Sequence, residues 1–132
     1  MCLLDEIVSF DERAIVCRAS SHRSPGNPLR CDGRLSAFAG IEYGAQAMAV
    51  HGALQARQPE VQVQSGLLAG ARAVRCSAQR LDDQPGPLTV RAERLVQDGN
   101  RLLYSFVVEA AQSQCELVSG RIAVVLGSGG PR

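Results

Sequence analysis

The sequence predicts an α+β fold: one long central helix wrapped by a curled antiparallel sheet. Three observations lead there. A single stretch, residues 37–57, is free of Pro, rich in Ala and long enough for a helix. Short β-type runs lie on both sides of it. Turn signals separate those runs, which suits strands joined by hairpins. With only one helix available, the sheet must curl around it to bury it.

The elements follow in order. "CLLDEIVSF" and "AIVCRAS" read as two strands joined across "DER". "SHRSPGNPLRCDGRLS" carries two Pro and two Gly and reads as a long loop, of the kind that is usually functional or mobile. Ser36 is the expected N-cap of the helix, and "RQPE" ends it. The apolar residues run almost all the way round this helix, which predicts burial on most sides. Gly40, Gly44 and Gly52 each weaken it by about 1 kcal/mol relative to Ala, so something is expected to pack closely there. "GLLAGARAVRCSAQRL" reads as one long or bent strand. "PLTVRAERLVQ", "RLLYSFVVEAA" and "CELVSGRIAVVL" follow, separated by "DGN" and "QSQ". These four strands are expected to form a meander. The domain is expected to span 1–126, with 127–132 ("GSGGPR") a flexible tail.

Composition narrows the function. The chain has 132 residues, enough for one domain with one core. A net charge of +1 and aromatic content of 4% give no basic, aromatic-rich surface for nucleic acid. All basic residues are Arg, so Schiff-base chemistry on Lys is excluded. The five cysteines, Cys2, Cys17, Cys31, Cys76 and Cys115, are odd in number and show no metal-ligand spacing. They suit reduced thiols, and with no leader or membrane span read in the sequence the expected location is the cytoplasm.

The helix poses the chemical question. "GIEYGAQAMAVHG" places an acid, Glu42, and an amide, Gln46, among apolar residues. A buried charge is costly unless it is paired or used. Gln46 lies one turn after Glu42 on the same face, whereas His51 falls on the opposite face.

The order of elements, "LLDEI" in the first strand, "GIEYGAQAMA" opening the helix, "DDQPGPLTV" entering a late strand and "LLYSFVVEAA…LVSGRIAVVL" at the end together resemble the hot-dog fold 3-hydroxyacyl-acyl carrier protein dehydratases. The form "NPLRCDGRL…GIEY" looks most like a divergent, hydroxymyristoyl-dehydratase-like branch found beside aryl-polyene and related lipid pathways. The resemblance implies a dimer whose sheets run together. It also implies an acyl tunnel at the interface, and a His from the loop and an acid from the helix of opposite subunits. The pair removes a proton alpha to a thioester carbonyl and protonates the leaving hydroxyl. It implies no cofactor beyond the phosphopantetheine or coenzyme A that carries the substrate. The partners implied are acyl carrier protein or acyl-CoA, with a homodimer, or a heterodimer with a paralogue, and neither nucleic acid nor membrane.

Carried onto this chain, Glu42 falls on the helical acid and Gln46 on the family Gln. Ala37 falls near the family Gly whose N–H holds the thioester oxygen. Counting back from Glu42, the family His falls on Asn27–Pro28. Asn27 can hydrogen-bond a substrate but is no base; His22, earlier in the same loop, is the displaced candidate. Arg30 and Arg34 are candidates for gripping a phosphate or an acidic carrier helix, and Tyr43 is expected at the dimer interface. Three readings stay open: a dehydratase, a catalytically degenerate subunit that pairs with an active paralogue, and a thioesterase using Glu42 alone.

Overall fold

The computed structural model describes residues 2–56 and 66–126. Six strands form a single antiparallel sheet around one helix: β1 Glu6–Phe10, β2 Ala14–Ala19, α1 Gly40–Ala56, β3 Gly66–Cys76, β4 Leu88–Asp98, β5 Arg101–Ala110 and β6 Glu116–Leu126. The expected tail 127–132 and the helix end at Arg57 lie outside the described residues.

The strand order is β1-β2-β4-β5-β6-β3. The last four strands are therefore not one meander. β4, β5 and β6 follow one another, but β3 pairs with β6 and forms the far edge. Strand order is set by long-range pairing, which local pattern does not encode. β3 also bends, as its sequence suggested: Ala73 sits at φ +53° within the register shift between Arg72 and Arg75.

Period-two alternation supplies the core. Cys17, Val90, Val108 and Val118 form one row across β2, β4, β5 and β6, and Ile15, Ala92, Phe106 and Gly120 form the next. All but Gly120 are buried. Each large apolar side chain so covered contributes about 1.5–3 kcal/mol. α1 lays Tyr43, Ala47, Met48 and His51 onto this surface. Gly40 and Gly44 permit close approach, since a Cβ on the first would overlap Val118 and on the second the ring of Phe106. Among the described residues Gly52 has no neighbour within 4 Å of such a Cβ, so the expected close packing stops short of it there.

His51 ties three elements together. Its Nε2 lies 2.7 Å from the Asp11 carbonyl in the β1–β2 turn, and its Nδ1 meets the Tyr104 hydroxyl on β5. A carbonyl only accepts, so Nε2 carries the hydrogen and Tyr104 donates to Nδ1. The residue is structural and sits on the face opposite Glu42, as the helical spacing required.

One helix face is left open. Phe38 is 62% exposed and Glu42 is exposed, while Ile41, Ala45 and Ala49 are only half-buried. The expectation of burial on most sides is therefore corrected for the single chain. Its own sheet covers one side, and an apolar stripe bearing Glu42 remains uncovered.

Candidate functional site

The segment between β2 and α1 is folded tightly. A short 3-10 turn, Ser21–Arg23, follows β2 directly. Asp32 and Gly33, at φ +54° and +75°, make a two-residue hairpin closed by both backbone hydrogen bonds between Cys31 and Arg34. This second Asp-Gly turn carries the same signal as Asp98–Gly99 but sits in a Pro/Gly-rich stretch that read as a loop throughout. Ser36 caps as expected, its hydroxyl accepting from the Phe38 N–H at 3.2 Å.

His22 is wholly buried. Its Nε2 lies 3.2 Å from the Gln84 carbonyl, which fixes the hydrogen on that nitrogen in the neutral ring. Nδ1 is buried and has no hydrogen-bond partner among the described residues. Burial lowers the His22 pKa, opposed by the nearby backbone of Gln84 and Gly86 and reinforced by Arg23 and Arg30. The ring is thus a neutral imidazole with one nitrogen held and one lone pair unspent.

A one-way chain of hydrogen bonds runs beside it. The Ser21 hydroxyl donates to the Leu3 carbonyl at 2.7 Å, so the Tyr43 hydroxyl, also 2.7 Å away, must donate to Ser21. Tyr43 in turn accepts from the Asn27 amide at 3.2 Å. Asn27 also donates to the Ser21 carbonyl and accepts from the Leu29 N–H. Its donors and acceptor are engaged within the chain, so it secures the loop and is not presented to a substrate. Tyr43, expected at an interface, is instead fully buried in this chain. Gln46 accepts from the Leu3 N–H at 2.7 Å and anchors the residues before β1 to the helix.

Two further expectations are corrected. The Ala37 N–H, expected to hold a thioester oxygen, donates to the Gln79 carbonyl at 3.0 Å. Arg30, expected to grip a phosphate or an acidic carrier helix, donates to the backbone carbonyls of Ser24, Gly33 and His22. Its remaining partner is Asp82 at 3.7 Å. Asp82 also accepts from the Leu35 N–H at 2.9 Å and pairs with Arg80, whose guanidinium holds the carboxyl well below the usual carboxylate range. Nothing local to Asp82 announces this role beyond an acid opening the "DDQPGP" turn. Arg34 remains exposed and lines a groove of about 250 Å³ with Leu29, Cys31, Ser36, Gln79 and Arg80. Among the described residues, no three His, Cys, Asp or Glu side chains gather as metal ligands. No helix among them is long and apolar enough to cross a membrane.

The two candidate groups are thus a buried loop imidazole and a carboxylate on the open face of α1. The family model for ApeP-like proteins, described as ApeP dehydratase, matches residues 1–128. The chain belongs to the ApeP-like dehydratase family. Among solved structures it is similar to the dehydratase heterocomplex ApeI:P from Xenorhabdus doucetiae. The TM-score is 0.81 and the identity 24%, covering 96% of this chain and 84% of that one. It is also similar to zebrafish thioesterase superfamily member 2, with TM-score 0.67 and 12% identity over 92% and 80% of the two chains. The E. coli PaaI protein from the phenylacetic acid degradation operon matches with TM-score 0.67 and 14% identity over 94% and 80%. No curated protein matches the chain. This member of the ApeP-like family has the hot-dog fold, with α1 inside the curled sheet.

Proposed function

We propose that this chain is a subunit of a 3-hydroxyacyl-thioester dehydratase of fatty-acid or polyene-type lipid biosynthesis. It acts in the cytoplasm as a dimer, and its substrate is carried on the phosphopantetheine of an acyl carrier protein or on coenzyme A. No further cofactor takes part. His22 of one subunit takes the proton alpha to the thioester carbonyl. The carbon–oxygen bond at the β-carbon breaks, the double bond forms, and the hydroxyl leaves as water with a proton supplied at Glu42 of the other subunit. Arg34 offers the groove a cation for a carrier phosphate.

The reading rests on His22. A neutral imidazole with one nitrogen fixed by a carbonyl and the other unpartnered is what a general base requires, and an orphaned buried nitrogen is unfavourable by about 1–3 kcal/mol if it has no use. Glu42 complements it, standing exposed on an apolar helix face that a second subunit would cover.

The degenerate-subunit reading has its own support. The unpartnered nitrogen of His22 is enclosed within this chain, and the Ala37 N–H is already bonded to Gln79. A chain so built could supply fold and interface while a paralogue performs the chemistry, as the similar ApeI:P structure, described as a dehydratase heterocomplex, suggests.

The test is an enoyl-thioester hydration assay on the purified chain, alone and with a complete dehydratase paralogue, with thiol release followed in parallel. Hydration without thiol release is expected. Thiol release would point to a thioesterase. Hydration only with the paralogue present, unchanged by His22→Ala, would favour the degenerate subunit.

A further inference from the structure

We propose that Asp82 is a positioning residue for His22, acting through Arg30 and through the turn that Asp82 opens; the inference deepens, and rests on, the dehydratase reading. His22 is held from two directions. Its ring meets the Gln84 carbonyl, and its own carbonyl accepts from Arg30 Nη2 at 3.1 Å. One hold leads through Arg30 to the Asp82 carboxylate, and the other comes from the turn that the same residue opens. Asp82 faces the Arg30 guanidinium at 3.7 Å, and it lies two residues before Gln84, whose N–H donates to the Leu81 carbonyl at 3.1 Å.

Arg30 shows why the carboxylate matters. Its side chain is mostly covered, at 16% exposure, and its other partners among the described residues are neutral carbonyls. The anion that balances it is Asp82, which is itself covered at 6% exposure and also accepts from the Leu35 N–H. Arg80 shares the same carboxylate from the partly open side. Asp82 therefore ties the entry to the helix at Leu35 and the loop at Arg30 to the turn whose Gln84 carbonyl meets the imidazole. Removing its charge while keeping its shape should leave the strands intact and loosen the ring. Small misplacements of a reacting group can lower rates by about a hundredfold.

The test uses the full chain with labelled histidine. The chain has two histidines, and His51, bonded to Tyr104 and the Asp11 carbonyl, serves as an internal reference. The charged neighbours acting on the His22 ring are Arg23 and Arg30. In Asp82→Asn the His22 ring signals are expected to shift, with those of His51 unchanged. The hydration kcat should fall about tenfold or more at nearly constant KM, and Asp82→Glu should restore part of it. Arg30→Lys, which keeps the charge but not the fork, should move the same ring signals. Unchanged His22 signals in a folded Asp82→Asn chain would overturn the proposal, as would a change in KM alone. A wild-type chain without hydration activity would strike the dehydratase reading instead, and the ring signals would still decide the coupling.

Discussion

His22→Ala is expected to lower enoyl-thioester hydration by about 10²–10⁴-fold, the range a positioned general base supplies. The loss should appear in kcat and in kcat/KM alike, because the ring takes a proton only as the reaction proceeds. The pH profile carries a second signature. Burial depresses the His22 pKa, so the neutral ring persists below the ordinary histidine range. The acid limb of kcat/KM should therefore fall below about pH 6.5 in the wild type and rise toward that value when the ring is loosened. Stability follows the same sign. The unfolded chain binds the His22 proton more readily, so this contribution is present above about pH 6.5 and is lost as pH falls through the depressed folded value. His22→Asn, which keeps a polar side chain of similar reach, should be as slow as the Ala variant if proton transfer is the role.

Gly44→Ala is expected to destabilise the fold although Ala is the better helix former. The added Cβ would stand 2.7 Å from Phe106 Cγ and 2.8 Å from Cδ2. Phe106 has little room to retreat, because a Cβ on Gly120, its partner on β6, would lie only 3.0 Å from Cε1 on another part of the ring. The ring is clamped between two glycines. Overpacking of this kind costs about 1–3 kcal/mol, and a ring held on two sides belongs at the upper end. Helix propensity returns about 1 kcal/mol, leaving a net loss of up to about 2 kcal/mol. Gly52→Ala is the control. No described residue lies within 4 Å of its Cβ, so it should stabilise by about 0.5–1 kcal/mol. Urea midpoints at constant m-value measure both. Stabilisation by both substitutions would show that the ring of Phe106 is free to move.

These glycines show how far local sequence reaches. Their placement in an Ala-rich helix announced close packing, and the structure supplies it at Gly40 and Gly44 but not at Gly52. Strand periods and the Asp98–Gly99 turn were legible because each depends on neighbouring residues. The edge position of β3 was not, because nothing within 66–76 tells whether β4 or β6 is its partner. The helix read as buried nearly all round because apolar residues mark a covered face without saying which chain covers it. Glu42 stands where this chain offers no cover.

The loop was least legible. Arg30 read as a surface grip because guanidinium groups are usually solvated. Its structural role depends on three carbonyls that converge only after the Asp32–Gly33 hairpin closes. Tyr43 read as an interface residue because it follows the acid. Its inward direction follows from Ser21 and Asn27, both remote in sequence. His22 and Glu42 could be named from sequence and resemblance, but the orphaned nitrogen of His22 is visible only in three dimensions.

The proposed site is shared between subunits, with His22 from one and Glu42 from the other. It is tested most directly by mixing two inactive variants, His22→Ala and Glu42→Gln, and measuring hydration after subunit exchange. Each mixed dimer would hold one site with both groups intact. Random exchange makes half the dimers mixed, so recovery of roughly a quarter of wild-type activity is expected. No recovery from chains shown to have exchanged would contradict the shared site.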